Sequence, residues 1–170
     1  VTDLVALGTV ADVVPLDRNN RILVSAGLAR IRAGQARPGI LALLEIASRP
    51  LHAVVASDLG FAVGPRINAA GRLDDISVGI ECLLQEEQVG ARRLAAELHQ
   101  KNMDRRQSQQ GMQDQALKLL DKLPLEEEGL PVAMTLYQGD WHQGVIGILA
   151  SRIKDKLHRP TIAFADGDDG

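Results

Sequence analysis

The sequence predicts an α/β protein in which helices dominate and a small parallel sheet enters late. Two observations carry that prediction. Hydrophobic residues make up 45% of 170 positions while aromatic residues reach only 2%, a mix that suits helices packed on a small sheet better than an all-β sandwich. The last part of the chain reads strand, loop, helix, strand, as "PVAMTLY", "QGDWHQG", "VIGILASRIKDKLH" and "TIAFA", the order of a parallel βαβ unit with a right-handed crossover.

The opening "DLVALGTVADVVPL" reads as one or two short strand-like segments divided by Gly8 and stopped by Pro15. Asp12 is a lone carboxylate in that run. Burying it unpaired is costly, so it is expected at an exposed strand end, bonded to backbone, or facing a cation. "NNRILVSAGLARIRAG" predicts a helix from Asn19 or Asn20 with an Asn cap, apolar Ile22, Leu23, Ala26, Leu28 and Ile31, and a stop at Gly34. "RPGILALLEIAS" predicts a second helix over 39–47.

In "ASDLGFAVGPRINAAGRLDD" a capping pattern at Ser57 and glycines at 60, 64 and 71 predict a helical turn followed by close-packed irregular backbone. "SVGIECLLQ" predicts a short helix with Cys82 on its packed face. From Gly90 to about Lys122 the sequence reads as one long helix, weakened in propensity only by Gly111. Its middle, "HQKNMDRRQSQQG", is polar nearly all round, the composition of a helix that bridges two domains with little core beneath it. The chain is therefore divided into a first domain over 1–88, a connecting helix over 89–123 and a second domain over 124–170, with "LPLEEEGLP" closing the helix.

A net charge of −3 gives no global attraction to polyanions, so any nucleic-acid binding has to come from local basic clusters. The single Cys82 can form neither an intrachain disulfide nor a zinc site, and no signal peptide or membrane-spanning stretch is recognisable. A cytoplasmic setting without membrane contact is the expectation. The start at Val1 and the stop at "AFADGDDG" read as the cut ends of an internal fragment of a longer protein.

Three constellations could carry chemistry. Asp12 is either a backbone cap or one ligand of a hard divalent cation, Mg²⁺ or Mn²⁺. "GPRINAAGRLDD" is either a Gly-rich turn whose arginines pair with Asp74 and Asp75, or a phosphate platform built from Arg66, Asn68 and Arg72. It is neither a Walker loop nor a dinucleotide fingerprint. "GDWHQGVIG" either lids a core or binds a ligand. In the second case Trp141 stacks on or packs behind it and His142 donates to a phosphate, at the helix N-terminus where a parallel strand ends. The run Arg152, Lys154, Lys156, His158, Arg159 reads as a solvated helix face, and His52, His99 and Cys82 read as structural.

Together, "DLVALGTVADVVPLDRNNRILV", "DLGFAVGPRINAAGRLDD" and "DWHQGVIGILASRIKDKLHRPTIAFA" resemble the bacterial single-stranded-DNA-specific 5′→3′ exonucleases of the DHH phosphoesterase superfamily. The resemblance covers essentially the whole chain, in the family's order. It implies that Asp12 belongs to the last motif of the DHH catalytic domain and helps bind a divalent pair, Mn²⁺ or Mg²⁺, which activates water and stabilises charge on the phosphodiester. It implies that 1–88 ends the DHH domain and 124–170 opens a DHHA1 domain. Arg66, Asn68 and Arg72 then become candidates for holding DNA phosphates, and His142 for touching the strand from the facing domain, in an enzyme of DNA repair and recombination. The earlier Asp-rich and Asp-His-His motifs are absent, so the isolated chain is expected to be inactive. Two other functions stay open: a DHH phosphoesterase of short oligonucleotides or cyclic dinucleotides, and, for the fragment alone, a non-catalytic binding module. The wording of "VALGTVADVVPLD" and "GPRINAAGRLDD" favours the exonuclease.

Overall fold

A computed structural model describes residues 1–73, 75–121 and 131–167. The chain falls into two compact units, Val1–Met103 and Asp104–Gly170. It is mostly helical with a small parallel sheet, the α/β class expected from composition.

The first unit opens with α1 (Thr2–Ala11), so the predicted strand-like opening is corrected to a helix. Val and Thr favour strands locally, but packing decides. Asp3, Ala6 and Leu7 are buried at spacings of three and four residues, and the helix lies against α2 (Arg18–Arg32) at backbone distance. At Gly27 of α2 an added Cβ would run into the Ala6 Cβ and the Thr2 carbonyl. Only a glycine permits that approach.

Asp17, not an asparagine, caps α2 by accepting the Asn20 backbone N–H at 2.8 Å. The Asn20 side chain instead donates to the Pro15 carbonyl at 2.8 Å. The buried stripe is Val24, Gly27, Leu28 and Ile31, a helical i, i+3, i+4, i+7 set, whereas Ile22, Leu23 and Ala26 face outward. Contact with α1 through Gly27 sets this phase. The helix stops where expected, at Gly34 with φ +69°, where the Gly34 N–H reaches the Ile31 carbonyl and the Gln35 N–H the Arg30 carbonyl.

α3 (Pro38–Ile46) follows as predicted, then a 3₁₀ turn (Leu51–Ala53). Residues 56–73 are helical throughout, which corrects the irregular backbone expected there. The run comprises α4 (Ala56–Asp58), a π-helical segment (Leu59–Val63) and α5 (Gly64–Leu73). α6 (Ser77–Leu84) lies so close to α3 that a Cβ at Gly39 would run into the Cys82 carbonyl. Cys82 is fully buried, and burial pushes its thiol up to about 11. Ile31, Ile40, Leu43, Leu44, Leu59 and Leu98 fill the core.

α7 (Gln88–Asp121) runs unbroken through Gly111 for 34 residues, and the division between units falls within it. Its middle is less solvated than its composition suggests, since Asn102 and Gln109 are buried. In the second unit β1 (Met134–Tyr137) pairs in parallel with β2 (Thr161–Phe164), from Met134 opposite Thr161 to Tyr137 opposite Phe164, with α8 (Gln143–Leu157) between them. This is the predicted βαβ order. Met134 and Leu136 are buried, as are Val145, Leu149 and Ile153 of α8. Asp74 and nearly all of "LPLEEEGLP" lie outside the described residues. Among the described residues no helix is long and apolar enough to cross a membrane.

Candidate functional site

Asp12 terminates α1. Its backbone N–H bonds the Gly8 carbonyl at 3.0 Å, and the next residue, Val13, has φ +54°. The Val14 N–H then returns to the Thr9 carbonyl at 3.0 Å, closing a tight helix end in which a valine takes the left-handed position usually given to glycine. A β-branched residue there is strained, by about 1–3 kcal/mol. Strain is therefore stored beside Asp12.

The Asp12 side chain is exposed and, among the described residues, makes no hydrogen bond or ion pair. This corrects the cap reading, because the carboxylate bonds no backbone group. It also stands at the negative end of the helix dipole, where an anion is unfavourable and a cation is welcome. Both features suit a hard metal ion. Among the described residues, however, no group of three or more His, Cys, Asp or Glu side chains could hold one.

The end of α1 lies against the helical run 56–73 through two glycines. A Cβ at Gly64 would touch that of Ala11 at 3.3 Å, and one at Gly60 would touch Val10 Cγ1 at 3.4 Å. A cleft of about 260 Å³ opens beside this contact, lined by Gly8 and Ala11 of α1 and by Gly64 and Asn68 of α5. Ala11, the residue before Asp12, and Asn68 thus line one largely apolar cleft.

The three polar residues of "GPRINAAGR" are not brought together. Arg66 is buried, donating from Nη1 to the Ala62 carbonyl at 2.6 Å and from Nε to His99 Nδ1 at 3.2 Å. Asn68 and Arg72 are exposed. Helical geometry explains the split: positions 68 and 72 are one turn apart on one face, while position 66 projects to the opposite side. Arg66 is therefore corrected from a surface phosphate contact to a buried residue that ties α5 to α7. An irregular loop could have gathered all three, and a helix cannot.

In the second unit Trp141 is buried and its Nε1 donates to Gln115 Oε1 of α7 at 2.7 Å. It anchors the loop to α7, and its burial corrects the reading of stacking on a ligand while fitting a ring that packs beneath the loop. His142 is exposed and caps α8, with Nδ1 accepting the Gly144 backbone N–H at 3.0 Å. That bond leaves the imidazole proton on Nε2, directed away from the cap. Across the carboxyl ends of the two strands, Tyr137 donates to Asp166 Oδ1 at 2.7 Å and Gln143 Nε2 to the Asp166 carbonyl at 3.2 Å. The hydrogen bond to Asp166 raises the Tyr137 phenol above its ordinary value. No sequence pattern marks this clamp, because its partners are 29 residues apart.

No family model matches the chain. Among curated proteins, the single-stranded-DNA-specific exonuclease RecJ of Dickeya dadantii is 61% identical over 168 residues, 99% of this chain and 29% of that protein. The chain matches RecJ along nearly its whole length. It spans less than a third of the length of the RecJ proteins from Dickeya dadantii, Salmonella typhimurium and Escherichia coli. A crystal structure of exonuclease RecJ bound to manganese superimposes with a TM-score of 0.83 at 37% identity, over 98% of this chain and 40% of that one. A structure of RecJ with Mg²⁺ from Thermus thermophilus gives 0.80 at 37% identity, over 96% of this chain and 25% of that one. Asp12, the 56–73 run and the βαβ unit all lie within the stretch that RecJ covers.

Proposed function

We propose that this chain belongs to an exonuclease that hydrolyses single-stranded DNA from the 5′ end with Mn²⁺ or Mg²⁺, and that it contributes one metal ligand and part of the strand-binding surface. The observation that carries the reading is Asp12: an exposed carboxylate without a partner among the described residues, fixed on a strained helix end at the negative pole of α1, within a segment 61% identical to a RecJ exonuclease. Its oxygens suit a hard cation, and the remaining ligands come from parts of the longer protein outside this chain. When bound, the metal pair supplies an activated water and charge stabilisation at the scissile phosphate.

In this reading residues 1–88 complete a DHH domain, the long helix connects, and 124–170 begin a DHHA1 domain. Arg72 and Asn68 bind phosphate and sugar groups of the strand, and His142 donates from Nε2 to a phosphate. Arg66 and Trp141 position the elements that carry these groups. DNA repair or recombination in the cytoplasm is the setting, and an inert, buried Cys82 suits a reducing compartment.

The test is cleavage by the full-length protein. With Mn²⁺ it is expected to degrade 5′-phosphorylated single-stranded DNA and to leave duplex DNA intact. Equal or faster turnover of dinucleotides or cyclic dinucleotides would assign it instead to another branch of the same phosphoesterases.

A further inference from the structure

Phe61 is the single Phe, Tyr or Trp in the unit Val1–Met103, and it is 80% exposed. An aromatic ring is among the most effective residues for filling a core, yet this core is built from Leu, Ile, Val and Ala around it. Its placement is set by the π-helical segment Leu59–Val63, which turns Leu59, Ala62 and Val63 inward and leaves Phe61 outside. Such segments are rare, and they are frequently found at functional sites.

Phe61 also has neighbours of a particular kind. Asn68 and Arg72 follow it by seven and eleven residues, about two and three helical turns, and both are exposed. The helical spacing sets aromatic ring, amide and guanidinium on one exposed side of the run 56–73, with Asn68 at the cleft beside α1. The same run packs against the α1 end that carries Asp12 through Gly60, which adjoins Phe61, and through Gly64.

We propose that Phe61 stacks on a nucleobase of single-stranded DNA whose backbone lies along Asn68 and Arg72. This deepens the function proposed above and rests on it. The chemistry fits an enzyme that must pass every sequence. Each base has a π-face, so stacking discriminates little among them, while Arg72 holds a phosphate that is the same at every step. It also favours single strands. In a duplex both faces of an internal base are covered by its neighbours, so a protruding ring finds no partner there.

The test uses the full-length protein without divalent metal, so that binding is read apart from cleavage. Two 5′-phosphorylated, fluorescently labelled oligonucleotides of equal length are compared, one intact and one bearing abasic sites along its length. F61A is expected to weaken binding of the intact strand by about tenfold, within the range found for base–aromatic stacking. F61W is expected to restore it, and the abasic strand to bind wild type and F61A alike. Two results overturn the proposal: wild-type affinity in F61A, or equal losses on intact and abasic strands. A lowered melting temperature in F61A with unchanged affinity would also overturn it, placing the ring under another part of the protein. Failure of the wild-type protein to bind or cut single-stranded DNA overturns the underlying function instead, and is seen before any variant is made.

Discussion

The guanidinium of Arg66 lies 3.2 Å from Nδ1 of His99, 33 residues on in sequence, a bond that joins α5 to α7. Arg72, on the same helix, is exposed. Two arginines of one motif therefore have different roles, and salt separates them. R72A is expected to flatten the salt dependence of single-stranded DNA binding by the full-length protein, removing about 0.7 from the log–log slope. R66A is expected to keep the wild-type slope but to destabilise the protein by about 1–3 kcal/mol, because the buried Ala62 carbonyl and the half-buried His99 ring lose a charged donor. R66K does not rescue, since one ammonium cannot span both acceptors. Binding titrations between low and moderate salt, beside urea denaturation, read both outcomes.

How much of this is legible in the sequence depends on the distance over which each feature is decided. Gly34, the α3 helix, the long helix and the βαβ order are local patterns, and they can be read directly. The opening segment cannot. Its Val and Thr content argues for a strand, and only Gly27, on another helix, reveals why α1 packs as a helix. The same holds for the site. Asp12 stands out as a carboxylate in an apolar run, but the buried carboxylate of that segment is Asp3. Proximity in sequence groups Arg66, Asn68 and Arg72, whereas the helical period turns Arg66 away from the other two. Phe61 gives no signal, because exposure is a property of the fold.

Asp3 is buried at the start of α1 and accepts the Arg37 backbone N–H at 2.7 Å. Burial alone would raise its pKa. In the 170-residue chain the Arg37 bond, reinforced by the free Val1 ammonium and the Leu4 N–H, outweighs burial and holds the carboxyl below the ordinary value of 3.8, so the test is made on that chain. A lowered folded-state pKa stabilises the protein above the unfolded value, and that stabilisation is lost as pH falls through the folded one. Wild-type stability should therefore drop more steeply below about pH 4 than that of D3N. At neutral pH D3N should be the less stable, by about 1.5–3 kcal/mol, the range for a hydrogen bond to a charged group. Thermal melts at stepped pH values test both signs.

Glycine-to-alanine changes should act in opposite directions at two helical sites. At Gly27 a methyl group has no room between Ala6 and the Thr2 carbonyl, so G27A should force α1 and α2 apart and destabilise by about 1–3 kcal/mol. At Gly111 nothing lies within 4 Å of the same position. G111A should then stabilise by about 0.5–1 kcal/mol, the difference in helix propensity. Denaturation of the two variants beside wild type gives the comparison. A loss of stability in G111A would mean that α7 needs its weak point.

Asp12 and the strained residue after it should respond in opposite directions in the isolated chain and in the full-length protein. D12N removes a charge from the negative end of α1, so the 170-residue chain should melt no lower than wild type and gain up to about 1 kcal/mol. V13G relieves the left-handed valine and should add about 1 kcal/mol more. If Asp12 is a metal ligand, the full-length protein loses function where the isolated chain gains stability. D12N should abolish Mn²⁺-dependent cleavage, since a neutral amide is a poor ligand for a hard cation. V13G should lower cleavage less severely, because a looser helix end no longer fixes the carboxylate. The isolated chain should neither bind Mn²⁺ tightly nor cut DNA, as one carboxylate cannot hold a divalent pair. Calorimetry with Mn²⁺ and cleavage of labelled single-stranded DNA measure these outcomes. Cleavage at the wild-type rate by full-length D12N would remove the metal from Asp12 and leave it a surface residue at the end of a helix.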